Sequence, residues 1–568
     1  MITECVDCLK RGYLHYHAGF NAITRRAADR FRRQDWPGMR RDTLARLDLY
    51  DQVVRRVSAL LQERLGSKAL ERTLWIDLKE RYDRFFARQR CDAELARTFF
   101  NSVRRRSVEA AGVDPAAEFI DMPDGVAECS HPAMLNVFSG AAIDPAMIQA
   151  ILESYLLNPL RDVREDARRC AVRIRERLGS LRSARIEMLA APFFRDMNAY
   201  FIGRIRTGGR SIPLVFALGS GARGIFVDAL LLSSEELRVL FSFSRSYFHV
   251  RSPCSRVLVD FLKELMPHKR LAELYIGLGY HKHGKTELFR DLLRHREVCE
   301  SDRFEAAAGQ RGMVMIAFYM PRDDLIYKVI RDRFASPKHT TRFQVMQKYD
   351  YVFKHDRAGR LVDVQTFEHL QVDQCCFTDA LIADLRREAA RVIELRDGKL
   401  FLDHVYVERR VTPLDVYLQQ AAPQLARAAV IDYGQAIKDL ARVNVFPGDL
   451  LVKNFGVTRL GRVVFYDYDE LCPLTECNFR DVPHAMREED AMAAEPWYMV
   501  APNDVFPEEF APFLGLSAEM LAVFQERHAD LFSPEFWRRT QAHIRSGHWT
   551  PIRPYTEAAR LSPPEAPR

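Results

Sequence analysis

The chain has 568 residues, 48% hydrophobic and 28% charged, enough to bury large cores and to divide into about two to four domains. Its 84 Lys and Arg stand against 77 Asp and Glu for a net charge of +7, and the two signs interleave, which gives a nucleic-acid partner no support. No run of about eighteen apolar residues occurs and the start, MITECVDCLKRGYLHYH, lacks a secretory apolar segment. The reading is therefore a cytoplasmic protein off the membrane, whose 11 scattered cysteines stay reduced. Cys5 and Cys8 form a lone CxxC with no second pair to complete a zinc site.

To about residue 180 the pattern predicts helices. Asp35 with Pro37 makes a helix start, and Leu44, Leu47, Val54, Val57, Leu61 and Leu65 recur at helical spacing. A second stripe runs through Ile148, Leu152, Tyr155 and Leu156. The charged run at 161–185 carries acids at helical spacing from its bases and reads as a solvated helix face.

Residues 186–250 alternate strand-like runs with Gly-rich turns. Gly219, Gly221 and Gly224 form GxGxxG, but no lysine follows before Lys263, so this is read as a tight hairpin. Gly279 to Thr286, GYHKHGKT, satisfies the P-loop pattern in full and makes a P-loop NTPase the main rival reading. Against it stand the bulky Tyr280, His281, Lys282 and His283 and a short preceding strand, LYIGL.

Residues 306–320 predict a glycine-bearing turn running into a strand, 321–324 a turn, and 325–334 a second strand carrying Lys328. That is the order of a kinase N-terminal lobe. A helix over 340–356 would bury Phe343, Met346, Tyr349 and Phe353, yet it holds no Glu to pair with the lysine, so the usual ion pair is replaced or absent. HVYVERRVTPLDVYLQQ at 404–420 reads as strand, connection and helix start, suiting an interlobe hinge whose backbone near Glu408 to Arg410 would meet adenine.

The densest signal is FPGDLLVKNFGVTRLGRVVFYDYDE, Phe446 to Glu470. Asp449 and Asn454 have the spacing of a kinase base and magnesium-binding amide, and Asp467, at the end of a strand, stands where the main magnesium carboxylate belongs. Lys453 would sit over the transferring phosphoryl, and Asp469 would add a metal contact if the strand continued. Phe446, Pro447 and Gly448 replace the usual His-Arg before Asp449, which predicts no activation-loop phosphate switch.

These strings, with RFRRQDW, GSGARGIFVDALLL, KHGKTELFRD and EPWYMVAPNDVFPEEF, resemble the bacterial isocitrate dehydrogenase kinase/phosphatases over nearly the whole chain. The resemblance implies an α+β fold: a mainly helical regulatory domain with a small β portion at 1–302, then a kinase-like two-lobed domain at 303–568 ending in a substrate-grasping segment. It implies phosphorylation and dephosphorylation of a serine of NADP-dependent isocitrate dehydrogenase with ATP/ADP and Mg²⁺, Mn²⁺ as the alternative, at the branch between the citric acid cycle and the glyoxylate bypass. AMP is the implied allosteric effector at the domain interface, alongside central metabolites, and a homodimer stays open. The nucleotide loop falls on Ala307, Ala308, Gly309, Gln310, Arg311, Gly312 and Met313, the phosphate-gripping lysine on Lys328, and an acid serving the phosphatase reaction on Asp363.

Besides the P-loop NTPase, a kinase-shaped scaffold that binds isocitrate dehydrogenase without catalysis remains as a third reading. The kinase/phosphatase reading makes Lys328 essential and Lys285 dispensable; the P-loop reading reverses them. The Pro-rich C-terminal residues are expected to be loose.

Overall fold

The computed structural model describes residues 1–86, 91–108, 113–120, 134–155, 157, 159–181, 184–242, 247–298, 301–307, 312–335, 340–483 and 498–561. Helices Ile2–Arg25, Trp36–Leu65, Arg72–Phe86 and Ala93–Ser107 pack into the first core. The second starts as the sequence predicts: the Asp35 carboxylate accepts the Gly38 N–H, and Pro37 occupies the first turn. Its buried stripe holds Val54, Val57, Leu61 and Leu65, but earlier it runs through Asp42 and Arg46 rather than Leu44 and Leu47. Polar groups are held there by partners on neighbouring elements, with Arg46 Nε left unbonded. Asp42 takes Arg26 and Arg30, while Arg46 donates to the Phe248 carbonyl at 3.0 Å and lies 4.7 Å over the Phe20 ring.

Ile148, Leu152 and Tyr155 are buried as expected, and Leu156 lies outside the described residues. The charged run forms helix Val163–Leu178, solvated and laced by Arg168 and Arg169 on Glu165. An antiparallel sheet follows, of strands β1 Leu135–Ser139, β2 Arg185–Leu189, β3 Phe193–Arg195, β4 Asn198–Thr207, β5 Arg210–Gly221 and β6 Gly224–Leu231, in the order β1-β2-β4-β5-β6 with β3 on β4. The GxGxxG glycines close the tight β5–β6 hairpin, with Gly221 opposite Gly224.

GYHKHGKT departs from the P-loop reading. LYIGL belongs to helix Leu271–Gly277, not to a strand, and residues 281–286 are the first turns of helix His281–Val298. Gly279 is needed for its φ of +92°, and a Cβ on Gly284 would lie 2.9 Å from the Ala272 carbonyl oxygen. The motif is a helical corner whose glycines serve a turn and close helix packing.

The upper of two further lobes is a second sheet of β7 Glu305–Ala306, β8 Met315–Tyr319, β9 Leu325–Ile330, β10 Val364–Asp373, β11 Ile393–Arg396 and β12 Lys399–Arg409, ordered β10-β12-β9-β8-β7 with β11 on β12. Helix Arg342–His355 begins with a Thr341/Gln344 capping box and buries Val345, Tyr349 and Val352. Phe343, expected inward, is 68% exposed; the buried stripe is Val345, Tyr349 and Val352, with Met346 and Phe353 partly buried beside it.

The lower lobe packs helices Leu414–Gln420, Pro423–Arg442, Ala518–His528 and Pro534–Arg545 around short strands β13 Thr412–Pro413, β14 Val445–Phe446, β15 Phe455–Val457, β16 Val463–Phe465 and β17 Cys472–Pro473. The architecture is thus α+β, a helical region with a small sheet followed by two lobes. The C-terminal stretch is not loose up to Leu561. Arg553, Tyr555 and Arg560 converge on the buried Asp228 of β6, at 3.1, 2.6 and 2.9 Å, and tie the chain end to the first sheet. Among the described residues no helix is long and apolar enough to cross a membrane.

Candidate active site

Lys328 sits on β9 with its ammonium buried between the lobes. Its Nζ lies 2.7 Å from Glu408 Oε2 and donates to the Tyr466 carbonyl at 3.1 Å, immediately before Asp467. The Glu missing from the helix is therefore supplied by the adjacent strand β12. In that ladder Tyr406 stands opposite Lys328, and Glu408, two residues on, shares the Tyr406 face. Glu408 is 2% exposed and its second oxygen has no hydrogen-bond partner. Burial pushes its pKa up; Lys328 opposes this and Asp363 adds to it.

The stretch expected to form the hinge continues the upper sheet as far as Arg409. The backbone from Glu408 to Arg409 pairs with Ile326 and Leu325 of β9, and the Arg410 N–H donates to the Asp324 carbonyl at 2.7 Å. The Arg410 N–H is thus taken up by a protein partner.

The residues of the Phe446–Glu470 stretch are drawn to the same place by backbone contacts. Asp449 folds back so that Oδ1 accepts the Leu451 N–H at 2.9 Å. Gly448 before it has φ +81°, and a Cβ there would lie 2.5 Å from the Glu470 carbonyl oxygen, so only glycine lets this loop press against the Asp467–Glu470 segment. Asn454 is buried, and its carbonyl accepts the Tyr466 N–H at 3.1 Å; the Lys453 carbonyl accepts the Tyr466 hydroxyl, while the Lys453 side chain is exposed. Tyr466 is thus a hub joining Lys328, Lys453 and Asn454 beside Asp467.

Strand β16 stops at Phe465, so Asp467 follows it in a loop and Asp469 lies in a turn. Strand alternation therefore gives no ground for placing Asp469 beside Asp467. Instead the Asp469 carbonyl accepts Lys348 Nζ at 2.6 Å, which hangs the acidic segment from helix Arg342–His355. On that helix Tyr349 stacks on Tyr406 at 4.0 Å and meets Tyr468 edge-on at 5.1 Å. Burial, Glu408 and Asp467 all raise its pKa, in that order.

Asp363 precedes β10 and is half-buried, with both carboxylate oxygens 3.1 Å from Gln365 Nε2. It lines an interdomain cleft with Gln365, Glu408, Arg409, Lys269 and Glu273. Of the nucleotide-loop residues, Ala307 donates to the Ala317 carbonyl at 2.9 Å, the Gly312 carbonyl accepts Arg331 Nε at 3.0 Å, and Met313 is 40% exposed. Ala308, Gly309, Gln310 and Arg311 lie outside the described residues.

Sequence reading missed Glu408, Tyr466 and Lys348 as members of this centre. A signal existed for the first: an acid inside the otherwise apolar strand HVYVE asks for a buried cation.

Residues 7–300 match the regulatory domain of isocitrate dehydrogenase kinase/phosphatase (AceK), and residues 302–557 its kinase domain. The chain is 44% identical to the isocitrate dehydrogenase kinase/phosphatase of Anaeromyxobacter dehalogenans (strain 2CP-C), over 98% of this chain and 97% of that one. It is 40% identical to that of Xanthomonas euvesicatoria pv. vesicatoria, covering 96% and 95%, and 37% identical to that of Serratia proteamaculans, covering 97% and 95%. With both family models spanning it and relatives matched end to end, the chain belongs to the isocitrate dehydrogenase kinase/phosphatase family.

Proposed function

We propose that this protein transfers the γ-phosphoryl of ATP to a serine of NADP-dependent isocitrate dehydrogenase and also removes it, so governing flux between the citric acid cycle and the glyoxylate bypass. The observation that carries the reading is the Lys328 ammonium, held by Glu408 and the Tyr466 carbonyl next to Asp467. A fixed cation whose carbonyl partner directly precedes Asp467, with Asn454 bonded through its own carbonyl to the same Tyr466, suits the alignment and charge neutralisation that a triphosphate requires. In this reading residues 1–302 regulate and 303–568 catalyse.

Asp449 orients the substrate hydroxyl and takes its proton, and Lys453 lies over the phosphoryl in transit. The donor set suits Mg²⁺, since a buried amide and one carboxylate, Asn454 and Asp467, are the sparse protein ligands that ion takes when phosphates complete its shell. Bound there, it would supply charge neutralisation across the phosphates. Asp363, held by Gln365, activates water for the reverse reaction. AMP is assigned to the interdomain cleft, because its lining reaches Asp363 and Glu408 from one side and Lys269 and Glu273 from the other.

Incubation with γ-labelled ATP and isocitrate dehydrogenase tests the whole reading. Label should appear on serine and be lost on a chase with ADP and effector; Asp363→Ala should abolish the loss while keeping most of the incorporation. No labelling would leave only the scaffold reading, and equal loss of both activities would remove the separate role of Asp363.

A further inference from the structure

Two cysteines come together where the chain leaves the candidate active site. Cys472 and Cys477 bring their Sγ atoms to 3.6 Å, with a hydrogen bond between them. They flank one tight turn: Cys472 opens β17, the 3₁₀ turn Leu474–Glu476 follows, and the Cys477 N–H closes it on the Leu474 carbonyl at 3.2 Å.

This turn is fixed from outside, so the approach of the sulfurs is built into the fold. Gln541 Nε2 donates to the Leu474 and Cys477 carbonyls, both at 2.7 Å, and the Leu474 and Thr475 N–H groups go to Asn444 at 3.2 and 3.0 Å. On the other side Cys472 pairs with Phe446 in the β14–β17 ladder. A disulfide holds its sulfurs at about 2.05 Å, which leaves a gap of about 1.5 Å, a distance that side-chain rotation can close.

The two thiols are not equivalent. Cys472 is half-buried and lines an open groove of 520 Å³ with Lys348, Tyr351 and Glu476, whereas Cys477 is 8% exposed and lies outside that lining. A hydrogen bond from the Cys477 S–H pulls the Cys472 thiol down; burial works against it, and Lys348 helps. The same hydrogen bond, then burial, push the Cys477 thiol up. A thiol that ionises first beside a groove, backed by one that keeps its proton, is the arrangement of an attacking and a resolving cysteine.

We propose that Cys472 and Cys477 form an oxidative modification site, which takes a small hydroperoxide through the groove and closes to a disulfide. The Cys472 thiolate attacks one peroxide oxygen and the O–O bond breaks; the hydroxide released takes up the proton that Cys472 gave off, leaving a sulfenic acid and one water. The Cys477 sulfur then attacks the Cys472 sulfur, the S–S bond forms, the S–O bond breaks, and the Cys477 proton leaves with that oxygen as a second water. The thiols are oxidised by two electrons, the peroxide is reduced by the same two, and a thiol reductant reverses the bond. In a chain expected to stay reduced, such a disulfide is transient. It would pin the segment that follows Asp469 to the turn behind it. The proposal is independent of the phosphoryl-transfer reading, because thiols are counted without turnover.

Trypsin, cutting after Arg462 and Arg480, releases both cysteines in one peptide, 463–480. In the test, reduced full-length protein meets a small excess of hydrogen peroxide and is then unfolded, alkylated, digested and weighed. Peptide 463–480 should lose both alkylation sites and two hydrogens, and should regain both sites after dithiothreitol, while the fully buried Cys170 stays alkylated. Cys477→Ala should stop at a Cys472 sulfenic acid that dimedone traps, and Cys472→Ala should leave Cys477 alkylated. The proposal is overturned if both thiols of the wild-type peptide remain alkylated, if Cys170 is lost as fast as the pair, or if dimedone marks Cys477 in place of Cys472. The wild-type measurement decides the matter even where a variant fails to fold.

Discussion

Two lysines stand after glycine turns in this chain, and they differ in a way the motif patterns invert. Lys285 completes a full P-loop string but sits on a helix whose glycines serve packing and whose histidines are interior: His283 is 3% exposed and its Nδ1 is 2.7 Å from Thr98 Oγ1. Lys328 has no complete motif before it, yet it is bound at 2.7 Å by a buried carboxylate and at 3.1 Å by the carbonyl preceding Asp467. In the proposed reading the phosphate grip falls to the lysine whose ammonium is anchored in the cleft, and the pattern of glycines preceding it is secondary.

The strongest way to break this comparison is to remove each ammonium. Lys328→Met should lower the rate of phosphoryl transfer by about 10²–10³-fold, as expected for deleting a fixed cation from a phosphoryl-transfer site. Initial rates with labelled ATP measure it, and an equal loss from Lys285→Met would reverse the ranking of the two sites.

A smaller effect is expected from the anchor. Glu408→Gln keeps the shape but leaves the Lys328 charge with only a carbonyl partner, a change on the order of 1–3 kcal/mol. kcat/KM for ATP should fall about tenfold to a hundredfold, with a lower melting temperature; unchanged kinetics would mean that Glu408 merely fills space.

The smallest effect concerns the interior of the false P-loop. Burial pulls the His283 imidazole down to about 3, against the usual 6.5; Glu94 and Arg290 adjust it in opposite senses. A depressed folded-state value means the unfolded chain takes up the proton first. His283 therefore contributes stability above about pH 6.5 that drains away as pH falls toward 3, by at most about 1.4 kcal/mol per pH unit. The melting temperature of His283→Gln should decline less than that of the parent between pH 6.5 and 4.5. Identical declines would show this corner to be solvated, as a phosphate loop would be.

Much of the architecture was legible because it rests on local rules. The Asp35–Pro37 helix start, the Gly221–Gly224 hairpin and the order of strand, turn and Lys328 strand follow from capping, turn chemistry and alternation. The inward face of helix Arg342–His355 was misread because Phe343 is apolar, but burial was set by how the helix packs on Tyr406 and Tyr468.

What the chain determined alone is the set of chemical groups and their spacing: Asp449, Asn454 and Asp467 in one short stretch, a lysine on a strand far upstream, and no Glu in the helix between them. Which acid answers that lysine was decided only in three dimensions, because the Glu408–Lys328 pair arises from the register of β12 on β9 between residues 80 positions apart (408 − 328). Likewise, residues 553–560 fasten to Asp228 across more than half the chain. Local rules fix which way a side chain can point along its own element; only packing between distant elements fixes what it meets.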